Sequence, residues 1–347
     1  MSGTPVWDAI ASADDLAALA PGVPDDLDRS PDVLVVGGGV IGLATAAMCV
    51  RAGLGSVVVL EREPRLASAA SGRAAGGLAP DVHMDEGEAY QRLARRSLEL
   101  HRELDAQWGY GLRLRDEIVC LRDADGEDAC GFVPQLAQGW TGIHIPTQAN
   151  VDTLRLAAAL ACHAGQTATG VEVTGVGPVV ATSAGEFRPR AVVLATGIVP
   201  QVSVQQSWVK GHLIATEPAG FELACDLASA DTLVIQREDG RLIAGGTLDE
   251  GDDEPVVRDD VVERIRRALV ALLPDAADLE VTHAWCCFRP ATPARLPVIE
   301  RLADDVWASC GHFRTGLLMA PATGEAIAEW IATGERPERV AALGYRS

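Results

Sequence analysis

The run Val33-Leu34-Val35-Val36-Gly37-Gly38-Gly39-Val40-Ile41-Gly42-Leu43 restricts the fold more than any other stretch of this chain. An apolar stretch breaks into glycines and resumes with helical spacing, so it reads as strand, tight turn, helix. Gly37, Gly39 and Gly42 occupy the G-x-G-x-x-G positions. The first glycine permits the turn, the second lets a pyrophosphate approach the backbone, and the third lets helix and strand pack closely. The anion then lies at the helix N-terminus, where unpaired N–H groups and the dipole favour negative charge. A second strand, Ser56 to Leu60, ends in Glu61, where a carboxylate can accept from ribose hydroxyls. An acid there disfavours the 2′-phosphate of NADP and leaves FAD and NAD open.

At 347 residues the chain has material for two domains or one large α/β unit. A net charge of −20 and a pI near 4.7 exclude a nucleic-acid surface, which needs clustered cations. Lys210 is the sole lysine, and the other basic residues are arginines, a compositional bias that weakens arginine counts as a signal. The eight cysteines form no C-x-x-C pair and no zinc spacing, so they read as reduced thiols and no metal is expected. The N-terminus has no basic segment followed by an apolar one, which makes the cytoplasm the expected location. Val33 to Val50 is uncharged for eighteen residues, but its three consecutive glycines suit a strand and helix better than a membrane span.

Taken in order, residues 1–30 read as an acidic, proline-punctuated extension on the surface, with Trp7, Ile10, Leu16 and Leu19 as anchors and a role in homo-oligomer contacts as one option. After Glu61 and Arg62, the small residues from Ala67 to Leu78 allow backbone to lie close to a flat or charged group, with Arg73 adding a cation beside a phosphate. Tyr90, Leu93, Ser97, Leu100 and Leu104 recur at helical spacing. Strands follow near Leu112–Arg115 and Ile118–Leu121, with a turn at Asp123 to Gly126. The β-α-β rhythm breaks from about 82 to 146, which reads as part of an inserted domain. Asn150 or Asp152 caps a helix from Val151 to His163; strands at Gly170–Val176 and Val179–Thr182 lead to a buried strand ending in Ala195-Thr196-Gly197, a small-residue turn of the kind that holds ligands in open α/β sheets. Further on come a hairpin at Asp239-Gly240, a helix with Val261, Ile265, Leu269 and Leu272 on one face, and a last helix from about Gly324 to Thr333 closed by Gly334.

Four motifs together resemble the D-amino-acid oxidase superfamily of FAD-dependent amine oxidases, and glycine oxidase and its relatives most closely. They are Gly37 to Gly42 with Glu61; Ser71-Gly72-Arg73 with Gly76-Gly77-Leu78; Val193 to Gly197; and Trp285 to Pro297 with Gly311 to Gly324. The last run is similar to the G-H-x-R-x-G-x-x-x-A-P-A-T-G segment of glycine oxidases. The resemblance implies FAD and an α/β (α+β) fold: a Rossmann-like FAD-binding domain, discontinuous over 31–81, 147–205 and 290–340, with a substrate domain on a mixed or antiparallel sheet inserted at 82–146 and 206–289. FAD contacts are then expected from Gly37, Gly39, Val40, Ile41, Gly42, Glu61, Arg62, Ser71, Arg73, Ala74, Gly76, Gly77, Leu78, Val173, Ala195, Thr196, Gly197, Arg289, His312, Arg314, Thr315, Gly316 and Leu317. A helix starting near Thr323 aims its positive end at the flavin, where reduction places negative charge.

By the same resemblance the reaction is hydride removal from an amine-bearing carbon of a small amino acid or amine, giving an imine that water hydrolyses, with O2 reduced to hydrogen peroxide. Arg289 matches the arginine of an R-P-x-T motif and is assigned the substrate carboxylate, which a guanidinium binds bidentately. Arg314 is assigned a further carboxylate or flavin contact, His312 a flavin contact or loop filling, and Lys210 a cation assisting oxygen. The chain departs from the pattern at Thr232 to Gln236, which lacks the carboxylate-holding aromatic of glycine oxidases, and at Ala294 and Glu300. The three tyrosines are Tyr90, Tyr110 and Tyr345, and a tyrosine-lined pocket needs Tyr90 or Tyr110. Cys287 stands near the point from which monomeric sarcosine oxidases attach flavin, which raises a thioether through Cys287 or Cys286 as an option; the default is a pair of small buried hydrophobes. Two other functions compete: a tailoring oxidase or dehydrogenase acting on a larger amine, and a non-catalytic flavoprotein subunit.

Overall fold

The structure, a computed structural model, describes residues 3–81, 87–122 and 127–343. The turn expected at Asp123 to Gly126 and Tyr345 lie outside the described residues. Val33–Val36 sits at the centre of a six-stranded sheet whose order is Val298–Ala303, Val306–Cys310, Ala191–Gly197, Val33–Val36, Val57–Glu61, Gln166–Thr169. All neighbours pair in parallel except the first two, which are antiparallel. Strands buried on both faces have no polar face to present, hence the continuous valine and leucine runs. Val33, Val35, Val57 and Val59 pack into a core with the helices Val40–Arg51, Thr153–Cys162 and Gly316–Thr333. Leu34, Val36, Val58 and Leu60 face the other way, against Val180 and Phe187 of a small three-stranded sheet.

A second, nine-stranded sheet carries Val281–Ala291, Ser207–Pro218, Arg241–Gly245, Leu233–Gln236, Asp226–Ala228, Arg113–Arg122, Trp140–Asn150 and Gly77–Leu78 in that order, with Glu127–Asp128 added beside Trp140–Asn150. It is mixed, because Asp226–Ala228 runs parallel to Arg113–Arg122 while the other pairings are antiparallel. The helix Asp259–Leu272 covers one face with Val261, Ile265, Leu269 and Leu272. The hairpin turn falls at Asp239-Gly240, where Gly240 has φ 86°. Asp152 is the cap of the helix Thr153–Cys162; its carboxylate accepts from Leu154 N and Arg155 N. Gly77 and Leu78 pair with Asn150 and Ala149 and form an edge strand of this sheet.

The N-terminal segment differs from the surface extension expected of it. Trp7 and Leu19 are fully buried, and the Trp7 indole N–H donates to the Ala74 carbonyl at 2.8 Å. Leu66 N donates to Leu19 O, Gly22 exchanges hydrogen bonds with Thr169, and Asp8 pairs with Arg65. Trp7 and Leu19 are among the anchors expected, and their full burial ties the segment into the core although its composition is acidic.

The last helix also departs from expectation by starting at Gly316, with Pro321 inside it. A proline there removes the N–H that would bond the Leu317 carbonyl. His101, on the long helix Glu88–Trp108, supplies a donor instead: its Nε2 lies 3.0 Å from Leu317 O. Ser97 Oγ, one turn earlier, accepts from Ala322 N at 3.1 Å. Gly324 then lets this helix cross Val40–Arg51, since a Cβ there would stand 2.6 Å from the Ala44 carbonyl oxygen.

Candidate active site

A cavity of about 1540 Å³ runs between the two sheets. At one end lie Gly37, Gly39, Val40 and Ile41 at the start of the helix Val40–Arg51. Gly37 has φ 110° and a Cβ there would stand 2.5 Å from Ala195 O, so this turn tolerates no side chain. Gly42 is behind the lining; a Cβ at Gly42 would meet Gly37 O at 2.0 Å. Glu61 is aimed by backbone: Oε2 accepts from Gly38 N at 2.7 Å and Oε1 from Glu63 N at 2.9 Å. Ser71 Oγ accepts from Val40 N at 3.0 Å and ties the small-residue loop to the helix start. Arg62, Ala74, Gly76, Gly77, Val173, Ala195, Thr196 and Gly197 also line this end, whereas Leu78 is fully buried away from it.

Arg73 lines the cavity, and its guanidinium donates to the carbonyls of Ser68, Gly3 and Cys286. Trp285 Nε1 donates back to Arg73 O. The residue expected beside a phosphate thus holds the N-terminal segment, the loop and the second sheet together.

The loop from Gly311 to Thr315 closes the middle of the cavity. Gly311 N donates to Gly197 O, Phe313 N to Pro290 O, and Ala291 bridges His312, so the loop is stitched to both sheets. Gly316, Leu317 and Leu318 line the cavity with the first turn of the last helix, whose N–H groups have no partner within the helix. His312 Nε2 lies 3.2 Å from Thr323 Oγ1, and burial lowers its pKa to about 3, so it is neutral. Thr315 and Arg314 also face the cavity.

Arg289 sits at the other end, on the edge strand Val281–Ala291, and is 9% exposed. Its NH1 donates to Thr247 O at 2.9 Å, and the guanidinium rests on Gly211, where a Cβ would meet NH1 at 2.1 Å. Thr247 is itself held: its Oγ1 donates to Asp249, which also bonds His212 Nδ1. The wall where glycine oxidases are expected to have an aromatic is aliphatic, with Leu233, Ile235 and Leu227. Tyr90 and Tyr110 are buried elsewhere and do not reach the cavity. Cys286 and Cys287 both line it, and burial pushes the Cys286 thiol pKa up, away from the thiolate form.

Lys210 does not line the cavity. It is fully buried, with Nζ bonded to Asp252 Oδ2 at 2.8 Å and Val256 O at 2.7 Å. A cation so held anchors the loop that precedes the helix Asp259–Leu272. Two acids were missed from the sequence: Glu117 and Asp226 stand in register on adjacent parallel strands and both line the cavity. Desolvation, with Asp226 beside it, pushes the Glu117 pKa up to about 8, and the Arg314 charge opposes that rise. The signal available was the charged pair Asp116-Glu117 between two expected strands that form one continuous strand, Arg113–Arg122, but nothing local says which face it presents.

A family model described as DAO, FAD dependent oxidoreductase, matches residues 32–330. The chain belongs to that family. Glycine oxidase of Pseudomonas aeruginosa is 30% identical over 89% of this chain and 96% of its own length. Glycine oxidase of Pseudomonas putida is 29% identical over 89% and 96% respectively. Among solved structures, glycine oxidase from Geobacillus kaustophilus superposes with a TM-score of 0.81 at 24% identity, over 92% of this chain and 99% of that one. L-Proline dehydrogenase from P. horikoshii reaches 0.84 at 20% identity, over 90% and 96%. The cofactor of this DAO-family enzyme is FAD. The site fits it: the side-chain-free turn at Gly37, the aimed Glu61 carboxylate and the helix start at Gly316 are what a pyrophosphate, an adenosine ribose and a reducible ring require. As an FAD-dependent oxidoreductase of amines or amino acids, it has a substrate side to its cavity, and Arg289 is the most buried cation there among the described residues.

Proposed function

We propose that this protein is a glycine-oxidase-like oxidase of a small amino acid, with the substrate carboxylate on Arg289. The observation that carries this reading is the position of the Arg289 guanidinium, buried and backed by Thr247 O, in the same cavity as the glycine turn. A guanidinium whose NH1 is occupied by a carbonyl is oriented before any ligand arrives, which lowers the ordering cost of binding. FAD, when bound, supplies the two-electron acceptor for hydride from the amine-bearing carbon, and O2 regenerates it with release of hydrogen peroxide. This chain's residues position the substrate and exclude water. Arg289 fixes one end, Leu233 and Ile235 provide an apolar wall, and neutral His312 adds no charge to the cavity.

Gly37, Gly39, Val40, Glu61, Ser71, Val173, Thr196, Thr315 and Gly316 would hold the dinucleotide, and Arg314 would add a second cation near the substrate. The aliphatic wall in place of an aromatic favours a second reading, an oxidase of a larger amine. The test of the primary reading is anaerobic bleaching of the yellow holoenzyme by glycine, sarcosine, both enantiomers of small amino acids and bulkier amines. Arg289→Ala is expected to keep FAD and to lose reduction by at least about a hundredfold; flavin reduction at the wild-type rate would remove Arg289 from its role.

A further inference from the structure

Glu117 and Asp226 form a feature that the oxidation of a one-carboxylate substrate does not use. They face each other across the pairing of Arg113–Arg122 with Asp226–Ala228, and both open onto the cavity. Asp226 is 5% exposed. Its Oδ2 accepts from Asn150 Nδ2 at 2.7 Å, and Asn150 is fixed in turn by Arg237 NH1 at 2.9 Å. Its Oδ1 is buried with no hydrogen-bond partner among the described residues; it forms an ion pair with Arg115 Nε at 3.7 Å, and Arg113 and Arg237 also act on the carboxylate through charge. The Glu117 carboxylate has no hydrogen bond to any described residue, and Arg314 acts on it through charge.

Two adjacent carboxylates in a partly desolvated cavity repel one another, and the fold gains nothing from that repulsion. A neutral or purely anionic small substrate leaves the repulsion in place. A positively charged nitrogen between them and the aliphatic wall relieves it and supplies the missing donors. The strands that carry Arg289 and Glu117 are at opposite parts of the large sheet, with Leu227, Leu233 and Ile235 on strands between them. The cavity therefore presents the Arg289 guanidinium, an aliphatic wall and, beyond it, the Glu117 carboxylate, on which Arg314 also acts through charge.

Resting on the amine-oxidase reading above, we propose that Glu117, supported by Asp226, recognises a second, positively charged nitrogen of the substrate. The substrate class is then a basic amino acid: a carboxylate at Arg289, the amine that is oxidised, an aliphatic chain, and a distal ammonium or guanidinium at Glu117. Glycine falls short of the second contact.

The test is anaerobic stopped-flow reduction of the holoenzyme at about pH 8.5, where a distal ammonium remains charged. Lysine and norleucine form a pair of similar chain length that differs in the distal nitrogen, and both enantiomers of each are used, with glycine as a third substrate. Wild type is expected to favour lysine over norleucine by about tenfold or more in reduction rate over Kd, and Glu117→Gln to bring that ratio to about one. A ratio of one in wild type, or a lysine preference that survives in Glu117→Gln, overturns the proposal while glycine or norleucine reduction upholds the oxidase reading. Bleaching by none of the three, or by any other amine on the broad panel, brings down the oxidase reading and the Glu117 inference with it.

Discussion

His101 Nε2 lies 3.0 Å from the Leu317 carbonyl oxygen, the acceptor that Pro321 leaves without a helical donor. A carbonyl can only accept, so Nε2 carries the proton, and burial holds the His101 pKa down at about 4, which keeps the ring neutral. Because Leu317 lines the cavity, this pair connects the long helix Glu88–Trp108 to the loop that would cradle the cofactor. His101→Ala is expected to cost about 2–4 kcal/mol from a buried orphan acceptor plus a cavity. Adding Pro321→Ala returns a backbone N–H to Leu317 and recovers about 1 kcal/mol. Urea denaturation of the four proteins in the double-mutant cycle checks this; strict additivity would disconnect the two residues.

Trp7 gives the N-terminal segment a measurable part in cofactor retention. Its side chain is fully buried and its N–H holds the Ala74 carbonyl, in the loop that follows Ser71. Trp7→Phe, which keeps most of the apolar bulk and deletes the donor, is expected to cost about 1–2 kcal/mol, and Trp7→Ala about 3–5 kcal/mol. Both should release FAD at lower urea than wild type, read by flavin fluorescence. Equal FAD release midpoints in all three proteins would detach the segment from the loop.

Glu117 makes stability depend on pH in a direction opposite to a salt-bridged acid. Its pKa rises from the ordinary glutamate value of 4.5 to about 8 in the fold. Between those values the native state binds more protons than the unfolded chain, so stability falls as pH rises through that window and the penalty is complete above it. Asp226 is shifted the same way, to about 6, by desolvation, and adds to the slope at lower pH. Glu117→Gln should match wild type near pH 4 and exceed it above pH 8 by on the order of 2 kcal/mol. Urea midpoints of the holoenzymes across this range decide it, and parallel pH profiles would refute the assignment.

Lys210 is placed to hold a loop rather than to meet oxygen. Its ammonium is shared by Asp252 and the Val256 carbonyl, and Arg258 also bonds Asp252. Asp252 is held well below the usual carboxylate range by its hydrogen bonds from Arg258 and Lys210. Lys210→Met removes the buried member of a pair whose Asp252 is part-exposed and keeps Arg258, and it is expected to lower the urea midpoint. The second-order rate of reduced flavin with O2 should change by less than about threefold. A hundredfold slower oxidative half-reaction in a folded, FAD-loaded variant would restore the oxygen role.

Features built from residues close in sequence were legible from pattern alone. The turn at Gly37 to Gly42 follows from spacing, since glycine alone accepts that backbone and that closeness to Ala195. Glu61, the hairpin at Asp239-Gly240, the Val261 to Leu272 face and the Gly311 to Gly316 loop follow from short-range patterns of the same kind. The partners of Arg73, Lys210 and Trp7 were not legible, because a long side chain or an anchor finds its partner wherever the chain returns. Arg73 meets Gly3 and Cys286, and Lys210 meets Asp252 and Val256.

The sequence by itself determined that a dinucleotide turn exists and that Arg289 and Arg314 belong to a recognisable motif set. Only the tertiary structure decided that Glu117 meets Asp226, that His101 and Ser97 repair the helix around Pro321, and that Lys210 faces away from the cavity. The reason is physical. Glycine spacing limits backbone dihedrals within a few residues, whereas strand register sets which distant charges share a low-dielectric cavity, and a one-residue slip would turn Glu117 to the opposite face.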